Sequence, residues 1–133
     1  MGLFREALVS PGLSGIAEIK RKSPSMGNLR TNLDPKSIAY EYEKAGASAI
    51  SVLVDTERFG GTWNDLREAR KSTSIPLLAK GFFSTKNDLM VAREAGADAI
   101  LLLLRDLDDS LIHNLMRDAT TIGLDAFVEA HDI

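Results

Sequence analysis

The stretch Ala95–Ile100 (AGADAI) repeats the earlier stretch Ala45–Ile50 (AGASAI), and Ile122–Phe127 (IGLDAF) follows the same pattern more loosely. In each copy a glycine stands where a helix is expected to end, because a residue without Cβ adopts a left-handed cap at no steric cost. An apolar run follows within two residues, so each copy predicts a turn from a helix into a strand. Repeated βα units with such short turns predict a parallel sheet with right-handed crossovers.

Continuous apolar runs mark the expected strands, and their unbroken apolar character is typical of parallel strands buried on both faces. The five runs are Gly15–Lys20, Ser48–Val54, Ile75–Lys80, Asp98–Leu104 and Asp125–Glu129. Amphipathic stretches lie between them, and each begins with a residue that can cap a helix. The capping candidates are Asp34 before Pro35, Thr62 before Trp63–Ser72, Ser84 or Thr85, and Asp106 or Asp108. The pattern predicts one domain over residues 1–133 with five strands and four helices.

Both an open doubly wound sheet and part of a (β/α)-barrel fit this order of elements. Side chains alternate between the two faces of a strand, which places Glu18 with Lys20, Lys80 with Leu78, and Glu129 with Phe127. Three strands thus carry a charged group near the carboxyl end, on the face opposite the small residues that pack against helices. Barrel enzymes build active sites from inward charges at that rim, so the pattern favours a partial TIM (β/α)₈-type barrel.

Composition narrows the class of protein further. The chain has 133 residues, a net charge of −3, 44% hydrophobic residues and no cysteine. Without cysteine there are no disulfides, thiolate zinc sites or cysteine nucleophiles, and the sequence suits the reducing cytoplasm. The mild negative charge provides no electrostatic footprint for nucleic acid or an anionic membrane, and no apolar run is long enough to span a membrane. The two histidines, His113 and His131, stand outside any pattern of metal ligands, so no metal site is predicted.

The segment Ile16–Ser25 (IAEIKRKSPS), followed by Gly27 and Asp34-Pro35, resembles the first strand of indole-3-glycerol phosphate synthases. The resemblance continues, in the order and spacing of that family, over nearly the whole chain. The further matching segments are Ile50–Leu53, Glu57–Phe59 with Gly61 and Asp65-Leu66, Lys80 with Phe82, Ala95–Ala99 and Val128–Asp132. The resemblance therefore covers strands one to five of the family's barrel.

This resemblance implies an enzyme of tryptophan biosynthesis that closes the indole ring. The implied substrate is 1-(2-carboxyphenylamino)-1-deoxyribulose 5-phosphate, which undergoes condensation, decarboxylation and dehydration without a cofactor. Lys80 would be the general acid, Lys20 the partner of the departing carboxylate and second proton donor, Glu129 the acid/base, and Glu18 the orienting carboxylate. The implied substrate-binding residues are Ser23 in the phosphate-side loop and Phe59 and Phe82 in the aromatic wall.

Three departures from the family pattern qualify that expectation. Gly81 and Met26 stand where the family commonly has Asp and Lys. A full barrel takes about 250 residues and binds phosphate with the loops after strands seven and eight. The sequence ends after its fifth predicted strand, so we expect slow turnover or none from this chain alone. A non-catalytic half-barrel that acts in assembly or metabolite binding is the alternative function.

Association is expected from the first and fifth predicted strands. Both would be open edges of the sheet, and exposed apolar edges invite pairing with another chain. Ile16, Leu78 and Phe127 would form an apolar patch on the hollow side of the half-barrel. We therefore expect a homo-oligomer, or a complementing barrel fragment that supplies the remaining strands.

Overall fold

The computed structural model describes residues 2–9, 11–12, 14–23, 27–28, 32–103 and 108–129. Strands and helices alternate along these ranges. The strands are β1 (Ile16–Ile19), β2 (Lys22–Ser23), β3 (Gly27–Asn28), β4 (Ala49–Leu53), β5 (Leu77–Lys80), β6 (Ala99–Leu103) and β7 (Asp125–Glu129). The helices are α1 (Leu3–Val9), α2 (Pro35–Lys44), α3 (Thr56–Phe59), α4 (Trp63–Ser72), α5 (Lys86–Ala95) and α6 (Asp109–Ile122).

The main sheet has five parallel strands in the order β1-β4-β5-β6-β7. Each of these strands corresponds to one of the five predicted apolar runs. Its first and last residues lie at the ends of that run or up to two residues inside them. The short strands β2 and β3 pair antiparallel with each other in the loop between β1 and α2. All carboxyl ends of the main strands therefore lie along one edge of the sheet, and β1 and β7 are its outermost strands.

Local signals in the sequence explain where the helices begin. Asp34 accepts a hydrogen bond from the Lys36 backbone at the start of α2. Thr62 and Thr85 form capping boxes at α4 and α5, which satisfy backbone N–H groups that a helix start leaves unpaired. Asp108 accepts from the Leu111 backbone at α6. Thr85 and Asp108 are thus the caps of these helices; the alternative Ser84 precedes the capping position, and Asp106 lies outside the described residues.

The repeated turn has the predicted backbone conformation. Gly46, Gly96 and Gly123 have φ angles of 98°, 110° and 95°. These values fall in the left-handed region, where a Cβ atom is strained. Each turn directs the chain from a helix back into the next parallel strand within two or three residues, which confirms the αβ turn inferred from the repeat.

Helices α2, α4, α5 and α6 cover one face of the sheet and form the larger core. Its fully buried members alternate along the strands with residues of the other face, as parallel strands require. They include Ile19, Ile50, Val52, Leu77, Ala79, Ile100 and Leu102 of the strands and Leu66, Leu89, Leu115 and Ala119 of the helices. This layer fixes the orientation of the opposite face, on which the charged residues lie.

The opposite face differs from the sequence-based prediction because α1 lies across part of it. Phe4 of α1 is fully buried, and its ring meets Phe127 edge-on with centroids 4.8 Å apart. Leu78 is therefore only 6% exposed, and its place in a predicted exposed patch is wrong. Ile16 is exposed and Phe127 is half-buried. The predicted total of four helices also missed α1 and the single-turn helix α3.

Candidate active site

A pocket of about 240 Å³ opens at the carboxyl ends of the parallel strands. Its lining contains every predicted catalytic or aromatic residue whose side chain the structure describes. These residues are Glu18, Lys20, Phe59, Lys80, Phe82 and Glu129. Leu53, Gly81, Leu101 and Leu103 complete the lining. The strand register thus gathers residues that lie more than 100 positions apart in the sequence around one cavity.

Glu18 is the centre of the charge arrangement. Its Oε2 atom lies 3.1 Å from Nζ of Lys80, and its Oε1 atom lies 3.4 Å from Nζ of Lys20. Each of these three side chains is about one-third exposed. One carboxylate therefore joins two ammonium groups that come from the ends of β1 and β5. Lys80 and Glu18 lie on the same face of the sheet, as the alternation of side chains predicts.

Neighbouring groups hold Glu18 in this position. Ser51, its register partner on β4, donates a hydrogen bond of 3.4 Å to Oε2. The Tyr42 hydroxyl of α2 donates to the Glu18 backbone carbonyl at 2.8 Å. We did not single out either residue from the sequence. Ser51 carries a recognisable signal, since it is a polar residue inside an apolar run, on the same strand face as the predicted charges.

The electrostatics keep Glu18 ionised. Partial burial raises the pKa of Glu18, but the hydrogen bond from Lys80 and the charges of Lys80 and Lys20 lower it more strongly. The net pKa is below the ordinary value of 4.5. Glu18 is therefore a carboxylate at neutral pH, suited to orient ammonium groups rather than to donate a proton.

Aromatic and aliphatic side chains form the remaining walls. Phe59 belongs to α3, and Phe82 follows β5 with 36% of its surface exposed. The guanidinium of Arg58 lies over the Phe82 ring, 4.0 Å from its centroid, which is a cation–π contact. Leu53, Leu101 and Leu103 add apolar surface from β4 and β6. A flat aromatic group with charged substituents fits such a lining.

The other predicted residues are placed as follows. Glu129 ends β7 in register with Leu103 and lines the pocket across the sheet from β1. The backbone of Ser23 pairs with Gly27 in the β2–β3 hairpin, and its side chain lies outside the described part of the chain. His131 and Met26 also lie outside the described residues.

Gly81 leaves little space for the larger residue that the family commonly has there. A Cβ atom at this position would lie 3.1 Å from Cγ2 of Val54, closer than ordinary van der Waals contact. The backbone beside Lys80 thus packs directly against the strand end of β4. An aspartate at position 81 would require Val54 to move by a few tenths of an ångström.

Two further features are absent from the part of the chain that the structure describes. No group of three or more His, Cys, Asp or Glu side chains is placed to hold a metal ion within that part of the chain. No helix among the described segments combines the length and apolar character needed to cross a membrane.

A pocket at the carboxyl ends of parallel strands, with helices packed on the outer face, defines this protein as part of a TIM-barrel fold. Solved structures of mandelate oxidase share the fold: one aligns with a TM-score of 0.60 and 17% identity over 98% of this chain and 47% of that chain. A second, with a bound trifluoro-dihydroxypropanoic acid, gives a TM-score of 0.64 and 18% identity over 98% of this chain and 46% of that chain.

Sequence comparison defines the family. The family model described as indole-3-glycerol phosphate synthase matches residues 3–133. A relative of that name from Nocardioides sp. is 46% identical over 91% of this chain and 46% of its own length. The one from Leptospira interrogans is 45% identical over 96% of this chain and 51% of its own length. The chain belongs to the indole-3-glycerol phosphate synthase family, and it spans about half the length of these curated relatives.

Proposed function

We propose that this chain performs the proton transfers of indole-3-glycerol phosphate synthesis. The substrate is 1-(2-carboxyphenylamino)-1-deoxyribulose 5-phosphate, and ring closure releases carbon dioxide and water. The observation that carries the proposal is the single carboxylate of Glu18 between the ammonium groups of Lys20 and Lys80, inside an aromatic-walled pocket. Family membership supports it, because relatives about 45% identical bear this enzyme's name.

Each residue has a role that its position supports. Lys80 protonates the substrate carbonyl oxygen as the ring carbon attacks, since it is a hydrogen-bonded ammonium at the end of β5. Lys20 pairs with the carboxylate that departs and provides a second proton. Glu129, on the far side of the pocket, moves protons during dehydration. Glu18 orients both lysines.

The substrate's remaining parts meet the pocket walls. Phe59 and Phe82 enclose the aryl ring, which offers them a flat apolar surface. Ser23 belongs to the loop on the phosphate side, where a hydroxyl and backbone N–H groups suit an anion. No step in this scheme needs a metal ion or an organic cofactor.

We also propose that β1 and β7 pair with further polypeptide, either a second copy of the chain or a complementing barrel fragment. They are the outer strands of the sheet, and Ile16 and Val128 on them are 46% and 40% exposed. Outer strands that carry exposed apolar side chains favour such pairing. The cysteine-free sequence fits a cytoplasmic location for the enzyme.

The fluorescence of the indole product tests the proposed reaction. We expect slow product formation by the purified chain at saturating substrate, and a loss of about 100-fold or more in Lys80→Ala, since one positioned proton donor contributes that much. Lys86→Ala is the matched control, because Lys86 is an exposed lysine at the start of α5 and should leave the rate unchanged.

Two outcomes would overturn the proposal. Equal rates for Lys80→Ala and the wild-type chain would refute the acid role. Absence of product from a folded wild-type chain would favour the non-catalytic alternative, a half-barrel that binds a metabolite or a partner.

A further inference from the structure

An ion pair outside the pocket joins the segment that carries Lys20 to α4, the helix that follows the α3 turn with Phe59. The guanidinium of Arg21 donates two hydrogen bonds to Asp65, from Nε to Oδ2 at 3.0 Å and from Nη2 to Oδ1 at 2.9 Å. The Asp65 side chain is 9% exposed and that of Arg21 is 19% exposed. This bidentate guanidinium–carboxylate geometry fixes the relative orientation of the two side chains as well as their distance. A single contact from an ammonium group does not do so.

The pair lies where the end of β1 packs against the turn that contains α3. A Cβ atom at Gly60 would lie 3.2 Å from Cγ of Lys22 and 3.6 Å from Cβ of Arg21, so the turn packs directly against these two side chains. Gly60 has a φ angle of 68°, which also favours glycine. Arg21 and Lys20 are consecutive residues, so their side chains point to different sides of the segment, one to Asp65 and the other into the pocket.

Hydrogen bonds within the α3 turn connect it to the start of α4, and hence to Asp65. Thr56 donates from Oγ1 to the Gly61 carbonyl at 2.7 Å, and Gly61 donates from its N–H to the Asp55 carbonyl at 3.3 Å. A Cβ atom at Gly61 would clash with the Leu53 carbonyl oxygen. The next residue, Thr62, shares its capping box with Asp65. Asp65 thus links the turn with Phe59 to the segment with Lys20.

The contribution of the Arg21–Asp65 ion pair to folding stability does not by itself explain why the pair is present. Thr62 already caps α4 by accepting from the Asp65 backbone, which needs no arginine. Burying an ion pair often adds little net stability, because desolvation offsets the attraction between the charges. A buried bidentate contact next to the pocket is better explained by its effect on the orientation of the two segments that it joins.

We infer that Arg21 and Asp65 are positioning residues that set Lys20 and Phe59 for the same substrate. This inference rests on the proposed function for its catalytic consequence. Neither residue lines the pocket, so neither is a catalytic residue. Loss of the pair should let the Lys20 segment shift against the α3 turn without removing any group that touches substrate.

The test compares Asp65→Asn and Arg21→Lys with a matched control, Asp98→Asn. Asp65→Asn keeps the volume and an acceptor for the cap but removes the charge, and Arg21→Lys keeps the charge but removes the fork. Asp98 forms a comparable pair with Arg70 at 2.9 Å, with a side chain 12% exposed. That pair lies beyond the amino end of β6, away from the pocket.

Two readouts separate positioning from folding. The first is the NMR signal of the Lys20 side chain in each variant of the 133-residue chain. This signal is assigned with Lys20→Arg, and urea unfolding of the same variants is measured alongside. The second is kcat/KM for indole-3-glycerol phosphate formation. We expect Asp65→Asn and Arg21→Lys to shift the Lys20 signal and to lower kcat/KM between about tenfold and 100-fold. Asp98→Asn should lower stability and leave the Lys20 signal in place.

An unchanged Lys20 signal in Asp65→Asn, or an equal shift in Asp98→Asn, would overturn the inference. The NMR readout does not depend on turnover. A shifted Lys20 signal in a chain that forms no product would therefore support the positioning role and count against the proposed function alone.

Discussion

At the scale of single residues, the charge balance of Glu18 provides a direct prediction. Removing Lys80 takes away both a hydrogen bond and the larger of the two favourable charges, so Lys80→Ala should raise the pKa of Glu18. Lys20→Ala should raise it less, because Lys20 contributes the weaker charge and a contact of 3.4 Å. A pH titration of the Glu18 carboxyl signal by NMR measures both changes.

The pH dependence of folding stability follows from the direction in which folding shifts the pKa of Glu18. A pKa lowered by folding means that the charged carboxylate stabilises the native chain. That contribution is complete above the ordinary value of 4.5 and is lost as the pH falls through the lower native value. A Glu18 pKa above 4.5 in the wild-type chain, or one that Lys80→Ala leaves unchanged, would contradict the arrangement described for the pocket.

The sequence predicted some of these residue contacts and not others. Alternation along strands was enough to place Glu18 and Lys80 on one face, because that period is a property of any strand. The pair of Arg21 with Asp65 depends on how a loop packs against a helix 44 residues away, which no local pattern records. The cation–π contact between Arg58 and Phe82 could not be predicted from the sequence for the same reason.

At the scale of elements, capping signals were the most informative feature of the sequence. Thr62 predicted α4 over Trp63–Ser72 with the observed bounds, because a capping box is satisfied within four residues. Helix α1 escaped notice, since seven residues give too few turns to show an amphipathic period. Its burial of Phe4 depends on Phe127, which lies at the other end of the sequence.

The edge strands lead to a prediction about association. Light scattering of the purified chain over a dilution series should show a dimer or larger assembly that dissociates on dilution. The physical reason is that, among the strands that the structure describes, β1 and β7 are the outermost in the sheet, and each carries an exposed apolar side chain. The Ile16→Lys and Val128→Lys variants, each measured alone, provide the matched comparison and should associate more weakly, because a charge on an edge strand opposes pairing. A compact monomer that unfolds cooperatively at every concentration would contradict this expectation.

At the scale of the whole molecule, the repeat and the strand parity together favoured a partial barrel over an open doubly wound sheet. The repeat predicts parallel strands, and the parity places the charges at the carboxyl ends on the face opposite α2, α4, α5 and α6. The volume and walls of the pocket could not be predicted in this way. They depend on the α3 turn and on α1, which bring Phe59 to the rim and close the base of the inner face.

We propose that the pocket binds the substrate of indole-3-glycerol phosphate synthesis through Lys20 and Lys80. Titration of the chain with 1-(2-carboxyphenylamino)-1-deoxyribulose 5-phosphate, followed by the NMR signals of the lysine side chains, tests it most directly. We expect saturable shifts of the Lys20 and Lys80 signals, with no shift of Lys36 and Lys44 on α2. Shifts confined to lysines outside the pocket, or no shift at millimolar substrate, would contradict it.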